Sequence, residues 1–363
     1  MRIDKYHLEH TYHRYYLRYI MNRIESKIYD LFAHQQLAKI TSRFISEKIT
    51  PVETNQKQYE KIAEYKVGED PKQVQFHKDL LYVPSMKDAR LDVFKLGHDK
   101  KIREIPLPGM PVEVMIDPEN ELCFISEMGK GKNGTNSVIC LDLKKPDKIK
   151  FRTETKGTWP KFMARRPHTN ELWVSNWLSD NTSVIDIQKG ETINIFDSGK
   201  TPRGIAFTPD GSTGYVCGYY SRDVMKFDAD QKKMVDRIRM PFPLWTYQGT
   251  PRHIVIDNEG RYGYVSNMGR GTIHKIDLKT DKIIATSFSG RRTATVEIFP
   301  DQKQIAAVNH GETFITLFDT VTLNPVATIP TKGHAFGLDI HEKGDIIASV
   351  SFDTKVLELF KFI

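Results

Sequence analysis

The chain has 363 residues, of which 39% are hydrophobic, 10% aromatic and 27% charged, and its formal net charge is +7. This composition supports a hydrophobic core and is typical of a soluble globular protein. The positive charge favours anionic partners and carries no information about the fold. Length alone allows two or three domains, but closed all-β folds run longer than the average domain, so one large domain is also compatible.

Two kinds of segment are missing from the sequence. No apolar run approaches the roughly 18 residues that a transmembrane helix needs. The first residues, MRIDKYHLEH, lack the apolar centre and cleavage site of a secretory signal. The three cysteines form neither a disulfide framework nor a metal motif, which fits a reducing compartment. We therefore expect a cytoplasmic protein, or a periplasmic or exported one whose signal has been removed.

Residues 1–50 are predicted to form a helical arm. They contain almost no glycine or proline, and apolar residues recur with 4-3-4-3 spacing at Leu17, Met21, Ile24, Ile28 and Leu31. Residues 51–57, PVETNQK, are predicted to form a linker. Tyrosines and arginines within the arm give an aromatic, basic surface of the kind that interfaces favour. The arm either packs within the chain or docks a partner, including a second copy.

The rest of the chain contains a repeat. Four stretches place an aspartate 26 residues after an equivalent starting position: 160–186, 202–228, 251–277 and 293–319. A fifth copy, from Pro111 to Asp142, is longer because GKGKNGT extends it, and weaker copies begin at Pro71 and Ala335. The seven starting points therefore define seven units of similar length.

Each unit is predicted to form four short antiparallel strands. In the fourth unit GIAF, TGYVCG and DVMKF are separated by turn signals, and KMVDRIRM follows the aspartate. Four strands per repeat of this length indicate the blade of a β-propeller, with the aspartate in a turn where it bonds nearby backbone N–H groups. The last unit has only three strands, so residues 60–67 are predicted to supply its fourth. The predicted propeller spans residues 58–363 and is all-β with seven blades.

The motifs PRGIAFTPDG, YVSNMG, WVSNW and SVIDI resemble those of the YVTN-repeat propellers, a family that includes lactonase-like and cytochrome-d1-like members. The resemblance covers about five-sixths of the chain. It implies the fold directly. For function it implies three classes: a scaffold or ligand binder, a hydrolase acting on acidic sugar esters, or a carrier of a haem-like or quinone cofactor.

Propeller geometry brings two sets of loops to one mouth of the central channel, and both sets are rich in cations and aromatic residues. An asymmetric field of this kind favours an anionic ligand or protein partner. The alternative is that the arginines of the first strands bond the carbonyl groups of neighbouring blades. The predicted binding residues are Lys161, Trp177, Arg203, Trp245, Tyr247, Arg252, His253, Asn267, Arg292 and His334.

One loop of this mouth, MPFPLWTYQGTP at 240–251, carries several large apolar residues. Apolar loops on a rigid scaffold bind or cover something, so Trp245 and Tyr247 are predicted to be its principal contacts. Arg203 and Arg252 begin adjacent blades beside this loop and are predicted to grip a carboxylate or phosphate.

No compact catalytic motif occurs in the sequence. We therefore favour a non-enzymatic binding or scaffold protein without cofactor or metal, with no specific nucleic-acid binding and no transmembrane segment. If the chain is an enzyme of the lactonase type, His253, His310 and Glu127 would supply acid–base chemistry.

Overall fold

The computed structural model describes residues 59–129, 135–241 and 249–363. The predicted arm at 1–50, the predicted linker at 51–57 and two predicted contacts, Trp245 and Tyr247, lie outside these ranges. The chain divides into two units, residues 1–53 and residues 54–363. All secondary-structure elements in the described part of the second unit are β-strands, so this part contains no helix that could cross a membrane.

The described residues form 28 strands in seven four-stranded antiparallel sheets, which confirms the predicted seven-bladed propeller. The sheets are numbered here as blades in chain order. The strands of blades one to three are β2 (Gln75–His77), β3 (Leu80–Ser85), β4 (Arg90–Lys95), β5 (Arg103–Pro106); β6 (Met110–Asp117), β7 (Leu122–Met128), β8 (Ser137–Asp142), β9 (Ile149–Glu154); β10 (Pro160–Arg165), β11 (Glu171–Asn176), β12 (Asn181–Asp186) and β13 (Glu191–Asp197).

Blades four to seven complete the ring, and the seventh combines strands from both ends of the described chain. Their strands are β14 (Pro202–Phe207), β15 (Thr213–Gly218), β16 (Asp223–Asp228), β17 (Lys233–Arg239); β18 (Pro251–Ile256), β19 (Tyr262–Asn267), β20 (Thr272–Asp277), β21 (Lys282–Phe288); β22 (Thr293–Ile298), β23 (Gln304–Asn309), β24 (Phe314–Asp319), β25 (Pro325–Pro330); β26 (Ala335–Ile340), β27 (Ile346–Ser351), β28 (Val356–Phe362) and β1 (Tyr59–Lys66).

Burial differs between the strands of one blade, and the sequence pattern follows it. In blade four, five consecutive residues of β15 are buried, because this strand has a neighbouring blade on each face. The outermost strand, β17, is exposed at most positions. A short continuous apolar strand and a polar outer strand are the pattern expected for a sheet whose inner strands are covered on both sides.

The repeated aspartates close the turns between third and fourth strands. Asp228 Oδ1 accepts the backbone N–H groups of Asp230 and Gln231, at 3.0 and 2.8 Å. Asp319 Oδ1 does the same for Val321 and Thr322, at 3.1 and 2.7 Å. The predicted structural role of these aspartates is confirmed, and it explains why they recur at a fixed offset.

The first strand of each blade contacts the first strand of the next one, so β2, β6, β10, β14, β18, β22 and β26 together surround the channel. Gly204, in the PRGIAF motif, permits this approach. A Cβ atom added there would lie 2.8 Å from His253 Cα and 2.9 Å from Arg252 O, both backbone atoms of blade five. The channel wall is therefore tightly closed at this point.

The cysteines lie in the blades as free, buried thiols. In the register of β7 and β8, Cys123 pairs with Leu141 while Cys140 pairs with Phe124. The two cysteines are thus offset by one residue and point to opposite faces of the sheet. They are not directly opposed, and burial raises the pKa of the Cys140 thiol to about 12.

Candidate anion-binding site at the channel mouth

Four cationic residues occupy equivalent places at or just before the beginning of first strands. They come from blades one, three, four and five: Lys72, Lys161, Arg203 and Arg252. Three of them are almost fully buried, with 5%, 7% and 4% of the surface of Lys161, Arg203 and Arg252 exposed. The predicted collection of cations at this mouth is therefore a cluster within the channel wall. We call these four residues the cation cluster.

Arg203 makes the one ion pair of the cation cluster within the described residues. Its Nη2 donates to Glu113 Oε1 at 2.7 Å, and both side chains are over nine-tenths buried. Glu113 belongs to blade two, so the pair joins blades that are not adjacent. This contact differs from the predicted alternative, in which first-strand arginines bond the carbonyl groups of neighbouring blades.

Arg252 is held by a neutral group. Its Nη1 donates to Thr295 Oγ1 at 3.0 Å, and its guanidinium carbon lies 4.5 Å from the centre of the Phe336 ring. Neither partner carries a charge, so the guanidinium charge is uncompensated locally. Burial and the nearby Arg203 both lower the pKa of Arg252, which means that the site disfavours its charge.

Each cation of the cluster faces an aromatic ring. Lys161 Nζ lies 4.4 Å from the Trp159 ring, and Lys72 Nζ lies 5.8 Å from the Phe352 ring. Arg203 lies 5.8 Å from the Trp177 ring. Such contacts stabilise a desolvated cation by about 2 kcal/mol or somewhat more, which is less than the cost of burying an unpaired charge. The rings therefore position the cations without neutralising them.

Glu113 is the carboxylate that acts on the whole cluster: it pairs with Arg203, and its charge opposes the lowering of the pKa values of Lys72, Lys161 and Arg252. Asp70 also acts on Lys72, but its carboxylate lies 3.1 Å from Lys87 Nζ. Four cations around one shared carboxylate leave a local excess of positive charge. This is the electrostatic condition for binding an oxyanion.

An aromatic platform borders the cluster on blades three and four. The Trp177 and Tyr219 rings are 5.1 Å apart, and the Tyr219 and Tyr220 rings are also 5.1 Å apart. Arg203 connects the platform to the cation cluster, because its guanidinium faces Trp177. The predicted binding residues Trp177 and Arg203 are thus brought together.

Two of the predicted histidines, His253 and His310, are neutral and pack against aromatic rings. His253 lies 4.7 Å from the Phe162 ring, and its Nδ1 lies 2.9 Å from the carbonyl oxygen of Val296. Burial lowers the pKa of His253 to about 3. His310 packs edge-on to Phe336 at 4.5 Å, and burial lowers its pKa to about 4. Neither histidine is in the imidazolium form at neutral pH, so neither is a general acid there.

The third candidate for acid–base chemistry, Glu127, lies inside blade two. Its Oε2 accepts hydrogen bonds from Ser137 Oγ and, at 2.7 Å, from Arg152 Nε. Within the described part of the chain none of its contacts involves His253 or His310. The structure therefore does not join the three residues into a catalytic group.

The remaining predicted residues fall in different surroundings. Asn267 is fully buried, and its Oδ1 accepts the Thr250 N–H at 3.0 Å. This hydrogen bond holds the residue that directly precedes β18 against the end of β19. His334 is partly exposed, with Nδ1 3.2 Å from the Glu312 carbonyl oxygen. Arg292 is exposed and in the left-handed region, with φ of 57°. None of these three contacts the cation cluster through a described hydrogen bond or ion pair.

A pair of carboxyl groups deeper in the channel was missed from the sequence. Glu297 and Asp339 lie at corresponding positions in β22 and β26, three residues further along the strands than the level of the cluster. Asp339 Oδ2 accepts the Phe76 N–H at 2.6 Å. Burial raises the pKa of Asp339 to about 7, and burial together with Asp339 raises the pKa of Glu297. A signal was present, because equivalent positions in other blades hold Met115, Ala164, Ala206 and Val255.

This carboxyl pair gives a pH prediction. Because the pKa of Asp339 is raised in the folded state, the folded protein keeps a proton that the unfolded chain loses above pH about 4. Stability should therefore fall as pH rises from about 4 to about 7. Asp339→Asn, which keeps an oxygen acceptor for Phe76, should flatten this fall and raise the free energy of unfolding at pH 8 by about 1–3 kcal/mol.

The measurement is urea unfolding of both proteins at several pH values. Asp301→Asn is a matched control, because Asp301 also accepts one backbone N–H, from Lys303 at 3.0 Å, on the exposed surface. Equal pH profiles for wild type and Asp339→Asn would contradict the raised pKa.

Comparisons with known proteins agree with this architecture. Residues 223–350 match the family described as Cytochrome D1 heme domain. The chain is also 26% identical over 274 residues to Antigen Lp49 of Leptospira interrogans serogroup Icterohaemorrhagiae serovar copenhageni, covering 72% of this chain and 57% of that protein. The predicted resemblance to the cytochrome-d1-like β-propellers is confirmed. The chain spans less than two thirds of the curated relative that it matches.

The haem of the cytochrome-d1-like propellers raises the question of whether the mouth fits such a group. A histidine that serves as an axial ligand needs a ring nitrogen that faces an open position beside the iron. The unpartnered nitrogens, His253 Nε2 and His310 Nδ1, are both buried, while His334 Nε2 faces Asp353 at 4.0 Å. The positions of His253 and His310 therefore do not fit a haem iron. No group of three or more potential metal ligands converges among the described residues.

Proposed function

We propose that this propeller is a non-enzymatic binding protein whose channel mouth takes up a small oxyanion, carrying a carboxylate or phosphate group. The observation that carries the proposal is the cation cluster, in which four cations share the carboxylate of Glu113. The predicted use of Arg203 and Arg252 to grip an anion follows from the same observation.

The energetics favour a bound anion. A buried charge without a partner costs several kcal/mol, and the cation cluster contains more charges than Glu113 neutralises. An oxyanion among Lys72, Lys161 and Arg252 would supply the missing negative charge and make charge-assisted hydrogen bonds. Because the cations are enclosed, a small molecule or a slender acidic side chain fits the mouth better than a broad protein surface does.

The rival classes receive less support. A hydrolase needs a proton donor and an acceptor that act together, and His253, His310 and Glu127 are engaged in separate contacts. A haem carrier needs an accessible axial ligand, which the buried His253 and His310 do not offer. Trp245 and Tyr247 stay predicted contacts of the ligand, and the arm at 1–50 stays a predicted docking element for a protein partner.

Titration calorimetry with citrate tests the proposal. Wild type should bind citrate with an affinity that weakens as salt is added, because the interaction is between charges. Arg252→Gln should weaken binding about tenfold or more, since a charge-assisted hydrogen bond is lost.

Arg261→Gln is the matched control. Arg261 also lies over an aromatic ring, with 4.8 Å to the centre of Tyr262, but it precedes the second strand of blade five, at the opposite end of the blade. Its removal should leave citrate binding unchanged. Absence of citrate binding to wild type, or equal affinity for wild type and Arg252→Gln, would overturn the proposal.

A further inference from the structure

The two lysines of the cation cluster lack what a buried lysine has elsewhere in this protein. Lys275 is 5% exposed, and its Nζ donates to the carbonyl oxygens of Thr320 and Val321, at 2.8 and 3.2 Å. Lys161 is equally buried as a residue, yet among the described residues no hydrogen-bond acceptor or carboxylate reaches its Nζ, and this atom is not fully enclosed by protein. The same holds for Lys72, which is half-buried.

The surroundings of these two amines disfavour protonation. Lys72 acts on Lys161, and Arg203 and Arg252 act on both lysines. The opposing charges are those of Glu113, which Arg203 engages, and Asp70, which pairs with Lys87. An ammonium group with no protein acceptor, placed among other cations, loses its proton more readily than one in bulk water. Burial, followed by the charge of Arg203, lowers the pKa of Lys72 to about 8.

We propose that Lys72 is an amine nucleophile that forms an imine with the carbonyl carbon of a 2-oxo acid or another anionic aldehyde or ketone. This inference rests on the proposed function, because the cation cluster holds the carboxylate of the same ligand. Desolvation beside other cations is an established way to activate a lysine for this chemistry.

The reaction balances without an oxidant or a reductant. The Nζ lone pair attacks the carbonyl carbon, giving a carbinolamine. The two hydrogens of the amine leave with the former carbonyl oxygen as water, and a C=N bond replaces the C=O bond. Arg252 and Lys161 keep the ligand carboxylate in place, so the carbonyl group is presented to Lys72.

Lys72 is the better placed of the two lysines. It is half-buried, whereas only 5% of Lys161 is exposed, so a ligand in the mouth reaches Lys72 more easily. Its amine is also neutral in a useful fraction of molecules near neutral pH while staying basic enough to attack. Lys161, which is buried more deeply, then donates a hydrogen bond from its amine to the ligand carboxylate.

Reductive trapping tests the inference on the full chain. The protein is incubated with glyoxylate and cyanoborohydride, digested, and mapped by mass spectrometry for carboxymethylated lysine. Modification of Lys72 should exceed that of the exposed Lys303 at least tenfold at pH 7. Its rate should level off above pH about 8, whereas exposed lysines continue to gain reactivity up to about pH 10.

Acetaldehyde is the matched probe, because it has the carbonyl group but no carboxylate. It should not prefer Lys72, since the cation cluster does not concentrate a neutral compound. Lys72→Arg should abolish trapping in the mouth, and circular dichroism checks that this variant is folded.

The outcomes separate this inference from the proposed function. If citrate binds wild type but glyoxylate does not label Lys72 preferentially, the imine chemistry is wrong and the binding function stands. If neither citrate nor glyoxylate interacts with the mouth, both are wrong. Equal preference of glyoxylate and acetaldehyde for Lys72 would also overturn the inference, because the carboxylate would then play no part.

Discussion

Glu113→Gln should lower the free energy of unfolding by about 3–5 kcal/mol, because it removes one partner of a buried ion pair and leaves Arg203 uncompensated. The loss should be larger than for a surface pair, since both side chains are over nine-tenths buried. Urea unfolding at pH 7 in a buffer without multivalent anions measures it.

Citrate should then restore part of the lost stability. An anion bound among the four cations stabilises the folded state by an amount that grows with its concentration, and the variant has one more uncompensated cation to satisfy. The midpoint of unfolding of Glu113→Gln should therefore rise more steeply with citrate than that of wild type. An unfolding free energy within about 0.5 kcal/mol of wild type would show that Glu113 does not hold the cluster together.

Trp173→Ala should cost about 3–5 kcal/mol, because the indole is fully buried between blades three and four. Its ring lies 4.8 Å from Phe196 in its own blade and 4.8 Å from Phe207 in the next. The variant loses apolar burial and leaves a cavity at this junction. Thermal unfolding followed by circular dichroism is the measurement.

Ile193→Ala is the control for the Trp173 variant. Ile193 belongs to the outer strand β13 of the same blade and is 48% exposed, so its truncation should change stability by less than about 0.5 kcal/mol. Comparable losses in the two variants would mean that the junction between blades contributes little beyond any other apolar contact.

The fold was predictable because each blade repeats the same local sequence pattern. Each blade repeats the same strands and turns, and an aspartate such as Asp228 marks the same turn in unit after unit. The Asn267 position shows the limit of this reasoning. It looked like a ligand contact because it precedes a channel loop, but its amide is used to bond Thr250 within the repeat.

The sequence predicted which cationic residues lie at the channel mouth, but it could not predict which side chains contact one another there. The sequence places Arg203 and Arg252 at the mouth because both follow a proline at the beginning of a first strand. Glu113 is 90 positions from Arg203 and belongs to a blade two places away, so no local pattern connects them. The burial of His253 against Phe162 depends on side chains from separate blades, which periodicity does not order.

The seventh blade determines when the ring closes. Lys61 in β1 and Glu358 in β28 are 297 positions apart, and the two strands pair along their length. During translation β1 leaves the ribosome before the other described strands, and it has no partner until β28 has been made. Until then blades one and six each expose a face that a neighbouring blade covers in the closed ring, and β1 has unpaired strand edges. Such edges attract other extended chains, so a chaperone that shields nascent β-structure should raise the yield of closed rings.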